Sequence, residues 1–125
     1  MIPGVSLRVV VIDDEPDMVM TLLSILRDEG YEAKGFASGP AALKELPGFD
    51  PDVVISDLAM PVVNGWDLAK EVRRTMGASR PVLIALSGQY RSGHDKSRSE
   101  SAGFNHYLTK PCDPKVLMAL IASSK

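Results

Sequence analysis

The chain has 125 residues, of which 45% are hydrophobic and 24% are charged. This length supports one domain with one core, and the composition is that of a globular rather than a disordered protein. The formal net charge of −2 excludes the basic footprint of nucleic-acid-binding proteins, and one cysteine excludes both an internal disulfide and a cysteine-based zinc site.

The chain contains no low-complexity segment, repeat or linker, so we expect a single domain over residues 1–125. No apolar run approaches membrane-spanning length, and the first residues lack the pattern of a signal peptide. We therefore expect a cytoplasmic protein that contacts neither membrane nor nucleic acid directly.

Five apolar runs predict strands, at residues 7–12, 31–37, 53–57, 80–86 and 105–111. In Val53, Val54 and Ile55 the apolar residues are consecutive rather than alternating. That pattern is typical of a parallel strand covered on both faces. The second run is weaker, which favours a place at the sheet edge.

A helical pattern follows each strand. Pro16 and Gly30 bound the first helix, and Pro47 with Gly48 is expected to end the second, while Asp113 caps the last. The segment 90–102 is polar and weakly patterned, but we predict a helix there as well. The predicted core-facing residues are Met18, Leu22, Ile25 and Leu26, then Leu43 and Leu46, then Trp66, Leu68, Ala69 and Val72, and finally Val116, Leu117, Leu120 and Ile121.

Strand and helix alternate five times, in units of about 25 residues that are short enough for one right-handed crossover each. The predicted fold class is α/β: a doubly wound, five-stranded parallel sheet with five helices, in three α/β/α layers.

Polar residues stand where the strong strands end: Asp13 with Asp14, then Asp57, Ser87 and Lys110. Parallel strands bring these ends to one edge of the sheet. Three carboxylates against one lysine leave a formal charge of −2, which one divalent cation balances. Oxygen ligands without histidine or cysteine favour Mg²⁺, with Ca²⁺ second.

Such a set of groups is suited to phosphoryl transfer. A bound Mg²⁺, an ammonium group and a hydroxyl can stabilise a transferring phosphoryl group, and Asp57, on the central strand, is the expected nucleophile.

This constellation resembles the receiver domain of two-component response regulators over nearly the whole chain. The residues that carry the resemblance are Asp13 and Asp14, the run Asp57-Leu58-Ala59-Met60-Pro61 with Gly65 and Leu68, Leu86-Ser87-Gly88, and Tyr107-Leu108-Thr109-Lys110-Pro111. The resemblance implies a flavodoxin-like sheet in the order 2-1-3-4-5. The sequence around Ser87 and Lys110 is most similar to that of receivers attached to hybrid histidine kinases.

The resemblance also implies roles for individual residues. Asp57 would be the phosphoacceptor, and the Mg²⁺ ligands would be Asp13 (partly through water), Asp14, Asp57 and the backbone carbonyl of Ala59. Lys110 and Ser87 would contact phosphoryl oxygens, and Tyr107 would follow Ser87 as a switch. The Lys110–Pro111 bond would be cis. The domain would catalyse its own phosphorylation and dephosphorylation without being an enzyme in the usual sense, with Ala59 and Gln89 tuning the hydrolysis rate.

A second apolar stripe on the first helix, formed by Val19, Met20 and Leu23, is interpreted as a docking face. Its partner would be a histidine kinase or a histidine phosphotransfer domain. The usual output face of the family is polar here, so we expect a monomer, with at most a weak dimer.

Other functions remain open at this point. A phospho-independent interaction module would keep the fold without the chemistry. A phosphatase of the haloacid dehalogenase type needs a D-x-D pattern, whereas the first strand here is followed by Asp13-Asp14-Glu15-Pro16. A flavin-binding module needs an uncharged phosphate loop at the same place. Whether the receiver stands alone or was excised from a longer protein is also open.

Overall fold

The computed structural model describes residues 7–88 and 93–124, and of Gly93 and His94 it describes the backbone only. The strands are β1 (Arg8–Ile12), β2 (Glu32–Phe36), β3 (Val53–Asp57), β4 (Val82–Ser87) and β5 (His106–Thr109). The helices are α1 (Pro16–Asp28), α2 (Gly39–Phe49), α3 (Gly65–Met76), α4 (Gly93–Ala102) and α5 (Pro114–Ala122).

The five strands form one parallel sheet in the order β2-β1-β3-β4-β5. This confirms the predicted fold class and the edge position of β2. Strand β3 lies at the centre and all five of its residues are buried, as its unbroken apolar run predicts. Because the strands are parallel, the residues that follow β1, β3, β4 and β5 come together at one edge.

Each face of the sheet carries its own apolar core. On one side Val9, Val11 and Ile55 pack with residues of α1 and α5. On the other side Val10 and Val54 pack with residues of α2, α3 and α4. Alternate side chains of each strand therefore enter opposite cores, which gives the three predicted layers.

The core face of α1 differs from the prediction. Val19, Leu22 and Leu26 are buried, while Met18 and Ile25 are only half-buried. The reason is Gly35 on β2, where an added Cβ atom would lie 2.4 Å from Val19 Cγ1. The missing side chain lets α1 approach the sheet edge and turns Val19 into the core.

The predicted end of α2 at Pro47 and Gly48 is wrong, since the helix continues to Phe49. Asp50 ends it, in the left-handed conformation with φ of 53°, and its N–H donates to the Leu46 carbonyl. Proline in the last turn removes one hydrogen bond without stopping the helix, and the half-buried Phe49 ring packs against the core.

Helix α4 is polar and is fixed by few apolar contacts. The Trp66 indole N–H donates to Ser99 Oγ at 3.0 Å, and Ser99 Oγ donates to the Asp95 carbonyl at 2.8 Å. Ser99 is fully buried, and the Arg98 guanidinium lies 3.8 Å from the centre of the Trp66 ring. A buried hydrogen bond therefore connects α4 to α3. This explains why the sequence of α4 shows no hydrophobic periodicity.

Arg73, in the last turn of α3, joins the amino ends of two strands. Its guanidinium donates to the carbonyls of Gly103 and Pro81 and to Asn105 Oδ1, at 2.8 to 3.0 Å. Pro81 precedes β4 and Asn105 precedes β5, so this contact lies at the edge opposite to the charged strand ends.

Several strands are shorter than predicted. Strand β4 begins at Val82 rather than at residue 80, and β5 ends at Thr109, so Lys110 and Pro111 follow the strand. On α5 Val116 is 47% exposed and does not belong to the predicted core face. The Lys110–Pro111 bond is cis as expected, and Arg80–Pro81 is also cis. Gln89 and residues 90–92 of the predicted fourth helix lie outside the described residues.

None of the helices in the part of the chain that the structure describes combines the length and the apolar content that a membrane crossing needs.

Candidate active site

Three carboxylates meet at the carboxyl edge of the sheet. Asp13 and Asp14 follow β1 and Asp57 ends β3, and one carboxylate oxygen from each lies within 4.8 Å of the other two. The parallel pairing of β1 with β3 brings them together, since Ile12 is in register with Ser56. Asp13 and Asp57 are 1% and 6% exposed, whereas Asp14 faces solvent.

Lys110 neutralises part of this charge. Its Nζ donates to Asp13 Oδ2 at 2.9 Å and lies 3.6 Å from Asp57 Oδ1. The lysine side chain is only 14% exposed, so these interactions are weakly screened by solvent. The predicted convergence of distant strand ends is therefore a feature of the fold.

Glu15 is a further partner of Lys110 that the sequence analysis missed. Its Oε1 lies 3.8 Å from Lys110 Nζ, and its side chain is 69% exposed. In the sequence it is only one member of the acidic run Asp13-Asp14-Glu15, and the structure places it directly before α1. The signal available in the sequence was the third acidic residue in succession after β1.

Backbone N–H groups fix two of the buried carboxylates. The Glu15 N–H donates to Asp13 Oδ1 at 3.0 Å, and the Ala59 N–H donates to Asp57 Oδ1 at 3.4 Å. Asp57 Oδ1 therefore faces a backbone donor and the lysine together. This leaves the carboxylate of Asp57 held at the edge of the sheet by the loop that follows β3.

Gly65 allows the backbone behind Asp57 to pack tightly. Its N–H donates to the Leu58 carbonyl at 2.9 Å. A Cβ atom here would lie 2.5 Å from the Asp57 carbonyl oxygen and 2.8 Å from Leu58 Cα. These neighbours are backbone atoms that cannot rotate away, so α3 can begin beside the site only with glycine at this position.

Burial raises the pKa of Asp57, and the negative charges of Asp13 and Asp14 raise it further, against the opposing effects of Lys110 and the Ala59 N–H. Burial also acts on Lys110 and lowers its pKa, but the hydrogen bond with Asp13 and the charges of Asp57, Asp13 and Glu15 outweigh it. The pKa of Lys110 is therefore raised. The lysine stays charged, and the site favours any change that removes negative charge from Asp57.

Ser87 lies on the strand next to that of Asp57, and Tyr107 lies one strand further from it. Ser87 ends β4, is 1% exposed, and its carbonyl accepts from the Lys110 N–H at 2.8 Å. Tyr107 is half-buried on β5, in register with Ala85, and packs against the core beneath α3 and α4. Ser87 therefore adjoins Lys110, while the roles of Ser87 as phosphoryl contact and of Tyr107 as switch remain predictions.

The acidic cluster fits a hard divalent cation. Its donors are carboxylate oxygens close enough to share one ion, and no histidine or cysteine belongs to the cluster. Within residues 7–88 and 95–124 it is the one group of three potential ligand side chains at this spacing.

The predicted docking face on α1 needs correction. Val19 is buried against β2 and cannot contact a partner, and Leu23 is half-buried. Met20 is 68% exposed and is the member of the stripe that remains available. The stripe of Val19, Met20 and Leu23 is therefore mostly the border of a wide core face.

The family model of the response regulator receiver domain matches residues 9–122. A protein of Leptolyngbya boryana called an uncharacterized 14.6 kDa protein in the sodA1 3' region is 35% identical over 116 residues, which cover 93% of this chain and 88% of that protein. The sensory transduction protein RegX3 of Mycobacterium tuberculosis is 34% identical over 90% of this chain, but only 48% of RegX3 is covered.

Solved structures share the fold. The chemotaxis protein CheY4 of Vibrio cholerae superposes with a TM-score of 0.88 at 27% identity, covering 97% of this chain and all of CheY4. This chain thus covers most of the Leptolyngbya boryana protein but only about half of RegX3.

Proposed function

Because this chain belongs to the response regulator receiver domain family, a family of signalling domains, we propose that it is controlled by phosphorylation of Asp57. The donor is a histidine kinase or a histidine phosphotransfer protein, and the modified domain switches its interaction surface. One observation carries the proposal: a buried carboxylate at the end of the central strand, with two further carboxylates and an ammonium group around it.

The reaction is a displacement at phosphorus. A carboxylate oxygen of Asp57 forms the new bond to phosphorus as the bond to the donor breaks, and the electron pair of that bond leaves with the donor group. The product is an acyl phosphate. Lys110 faces Asp57 Oδ1 and can move its charge to a phosphoryl oxygen with little displacement, because the 3.6 Å separation is already short.

The residues that would hold Mg²⁺ are Asp13, Asp14 and Asp57, with the Ala59 carbonyl as an additional ligand. A bound Mg²⁺ would neutralise charge on the phosphoryl group during transfer. The chain's own residues orient the nucleophile: the Ala59 N–H holds Asp57 Oδ1, and the Glu15 N–H holds Asp13.

Ser87 supplies a hydroxyl at the end of the strand next to β3, and we assign to it a hydrogen bond with a second phosphoryl oxygen. Tyr107 then responds to the movement of Ser87. The buried position of Ser87 and the half-buried ring of Tyr107 support this assignment. The same site hydrolyses the acyl phosphate, so the domain is a signalling element with autocatalytic activity.

The proposed setting is the cytoplasm, where histidine kinases present their phosphohistidine. Met20 contributes to kinase docking, because it is exposed on α1 immediately beyond the acidic loop. The match covers only 48% of RegX3, so a receiver of this kind can belong to a longer protein. That protein would then be either a histidine kinase fused to its receiver or a longer response regulator.

Acetyl phosphate with Mg²⁺ tests the proposal. Intact-mass spectrometry should show one added phosphoryl group on the wild-type chain, and none on Asp57→Asn. An unmodified wild-type chain would support the phospho-independent module instead. An adduct that persists in Asp57→Asn would refute the assigned acceptor. A matched control is Asp67→Asn, an exposed carboxylate in the first turn of α3, which should be modified as the wild type is.

A further inference from the structure

Glu15 differs from the other carboxylates around Lys110 in its exposure. Asp13 and Asp57 are buried, but the Glu15 side chain is 69% exposed and still lies 3.8 Å from Lys110 Nζ. The loop fixes its place, because the Glu15 N–H donates to Asp13 Oδ1 at 3.0 Å. Glu15 therefore occupies the solvent side of the site, with its carboxylate near the ammonium group.

The charge at this position affects any donor that approaches from solvent. The carboxylates of Asp13, Glu15 and Asp57 lie within 4 Å of Lys110 Nζ, and Asp14 adds a fourth negative charge to the cluster against the single positive charge of the lysine. A small phosphodonor brings one or two negative charges of its own. Even with a divalent cation bound, the site and the donor repel each other, and the repulsion grows with the charge of the donor.

We propose that Glu15 is a specificity-determining residue that selects against highly charged small phosphodonors. The inference rests on the proposed phosphorylation of Asp57. Glu15 acts by its charge at the entrance of the site, while Asp57 remains the nucleophile. A phosphohistidine embedded in a protein partner can offset the repulsion through contacts elsewhere, whereas a free small donor cannot.

Two donors of different charge separate this effect from a general change in the site. Acetyl phosphate is a dianion near neutral pH, and phosphoramidate carries one net negative charge. In both reactions Asp57 gains the phosphoryl group; the leaving group is acetate in the first, and in the second ammonia, which departs from the already protonated nitrogen. If Glu15→Gln acted only by freeing Lys110 from its contact with Glu15, both reactions would accelerate equally. The ratio of the two rates therefore reports how the charge of Glu15 acts on the donor.

The experiment measures phosphorylation rates by intact mass, at low ionic strength and at an Mg²⁺ concentration that saturates each variant. Glu15→Gln should raise the acetyl phosphate rate by roughly two- to fivefold relative to the phosphoramidate rate, the scale of one exposed charge interaction. Added salt should reduce this difference. Glu15→Asp should keep the wild-type ratio, because the charge is retained.

The control is Asp17→Asn, the same loss of charge on an exposed residue of the first turn of α1. It should leave the rate ratio within error of wild type. An unchanged ratio in Glu15→Gln would overturn the inference, and so would an equal change in Asp17→Asn. If the wild type takes up no phosphoryl group from either donor, the proposed function itself fails, and the two failures are distinguishable.

Discussion

Lys110 donates its hydrogen bond to Asp13 at 2.9 Å, although the proposed nucleophile Asp57 lies only 3.6 Å away. The lysine is thus held mainly by the residue that follows β1. A small shift transfers its charge toward Asp57.

Asp57→Asn should stabilise the metal-free domain. The substitution removes a buried charge from a cluster of like charges while nearly preserving its shape. We expect the melting temperature to rise by about 3 to 6 °C at neutral pH, which corresponds to roughly 1 kcal/mol in a domain of this size. Millimolar Mg²⁺ should raise the wild-type value and have a smaller effect on Asp57→Asn. Calorimetric scans that show neither effect would contradict the acidic cluster as a source of instability.

The gain in Asp57→Asn should depend on pH. The pKa of Asp57 is raised above its ordinary value of 3.8 in the folded protein, so the folded state binds this proton more readily than the unfolded state does. The stability that this group contributes is therefore lost as pH rises from its pKa in the unfolded state through its raised pKa in the folded state. The difference in melting temperature should be largest at neutral pH and should shrink on acidification. A difference that grows toward acid would show that the sign is wrong.

Lys110→Met should destabilise the metal-free domain by about 2 to 4 kcal/mol, because buried Asp13 loses its cation. The stabilisation by Mg²⁺ should be larger in this variant than in the wild type, since the ion then replaces the missing positive charge. Lys115→Met removes an exposed lysine at the start of α5 and should change stability by less than about 0.5 kcal/mol. Urea titrations with and without Mg²⁺ measure both quantities.

Two glycine substitutions with opposite expected signs test the packing behind the nucleophile. Gly65→Ala places a methyl group 2.5 Å from the Asp57 carbonyl oxygen, so we expect a loss of about 2 kcal/mol or more, from displacement of the backbone. Gly48→Ala in α2 meets no atom within 4 Å and should stabilise by about 0.5 to 1 kcal/mol. Equal effects in chemical denaturation would show that the close approach at Gly65 is unimportant.

Ser99→Ala should loosen α4. The serine hydroxyl accepts from the Trp66 indole N–H inside the protein, and its loss should cost about 1 to 2 kcal/mol. Trp66 is the only tryptophan in the chain, so its fluorescence reports this contact, and its emission should shift to longer wavelength. Ser97→Ala, at an exposed position of the same helix, should leave both stability and emission unchanged.

The sequence was sufficient to predict the order of elements and the meeting of Asp13, Asp57 and Lys110. Those predictions follow from unbroken apolar runs and from the rule that parallel strands end at one edge. Two helix predictions failed where the answer depends on another part of the chain. Val19 turns inward because Gly35 on β2 leaves room for it, and α2 passes Pro47 because Phe49 packs on the core.

Two features of the site were also beyond sequence reasoning. The contact of Glu15 with Lys110 spans nearly the whole chain and depends on how the acidic loop turns. The attachment of α4 to α3 includes the buried polar pair of Trp66 and Ser99, and such a pair leaves no periodic pattern to detect. Patterns of apolar residues reveal faces, but not which individual polar groups meet.

The contacts of Arg73 give the two ends of the sheet unlike chemistry. At the amino end, its guanidinium donates hydrogen bonds to neutral carbonyl and amide oxygens. The strength of these hydrogen bonds does not depend on the charge state of Asp57. At the carboxyl end, Lys110 contacts Asp13 and Asp57 as ions, so the strength of these contacts depends on the charges around them. If Asp57 is phosphorylated as proposed, we expect the ionic contacts at the carboxyl end to rearrange while the contacts of Arg73 at the amino end stay in place.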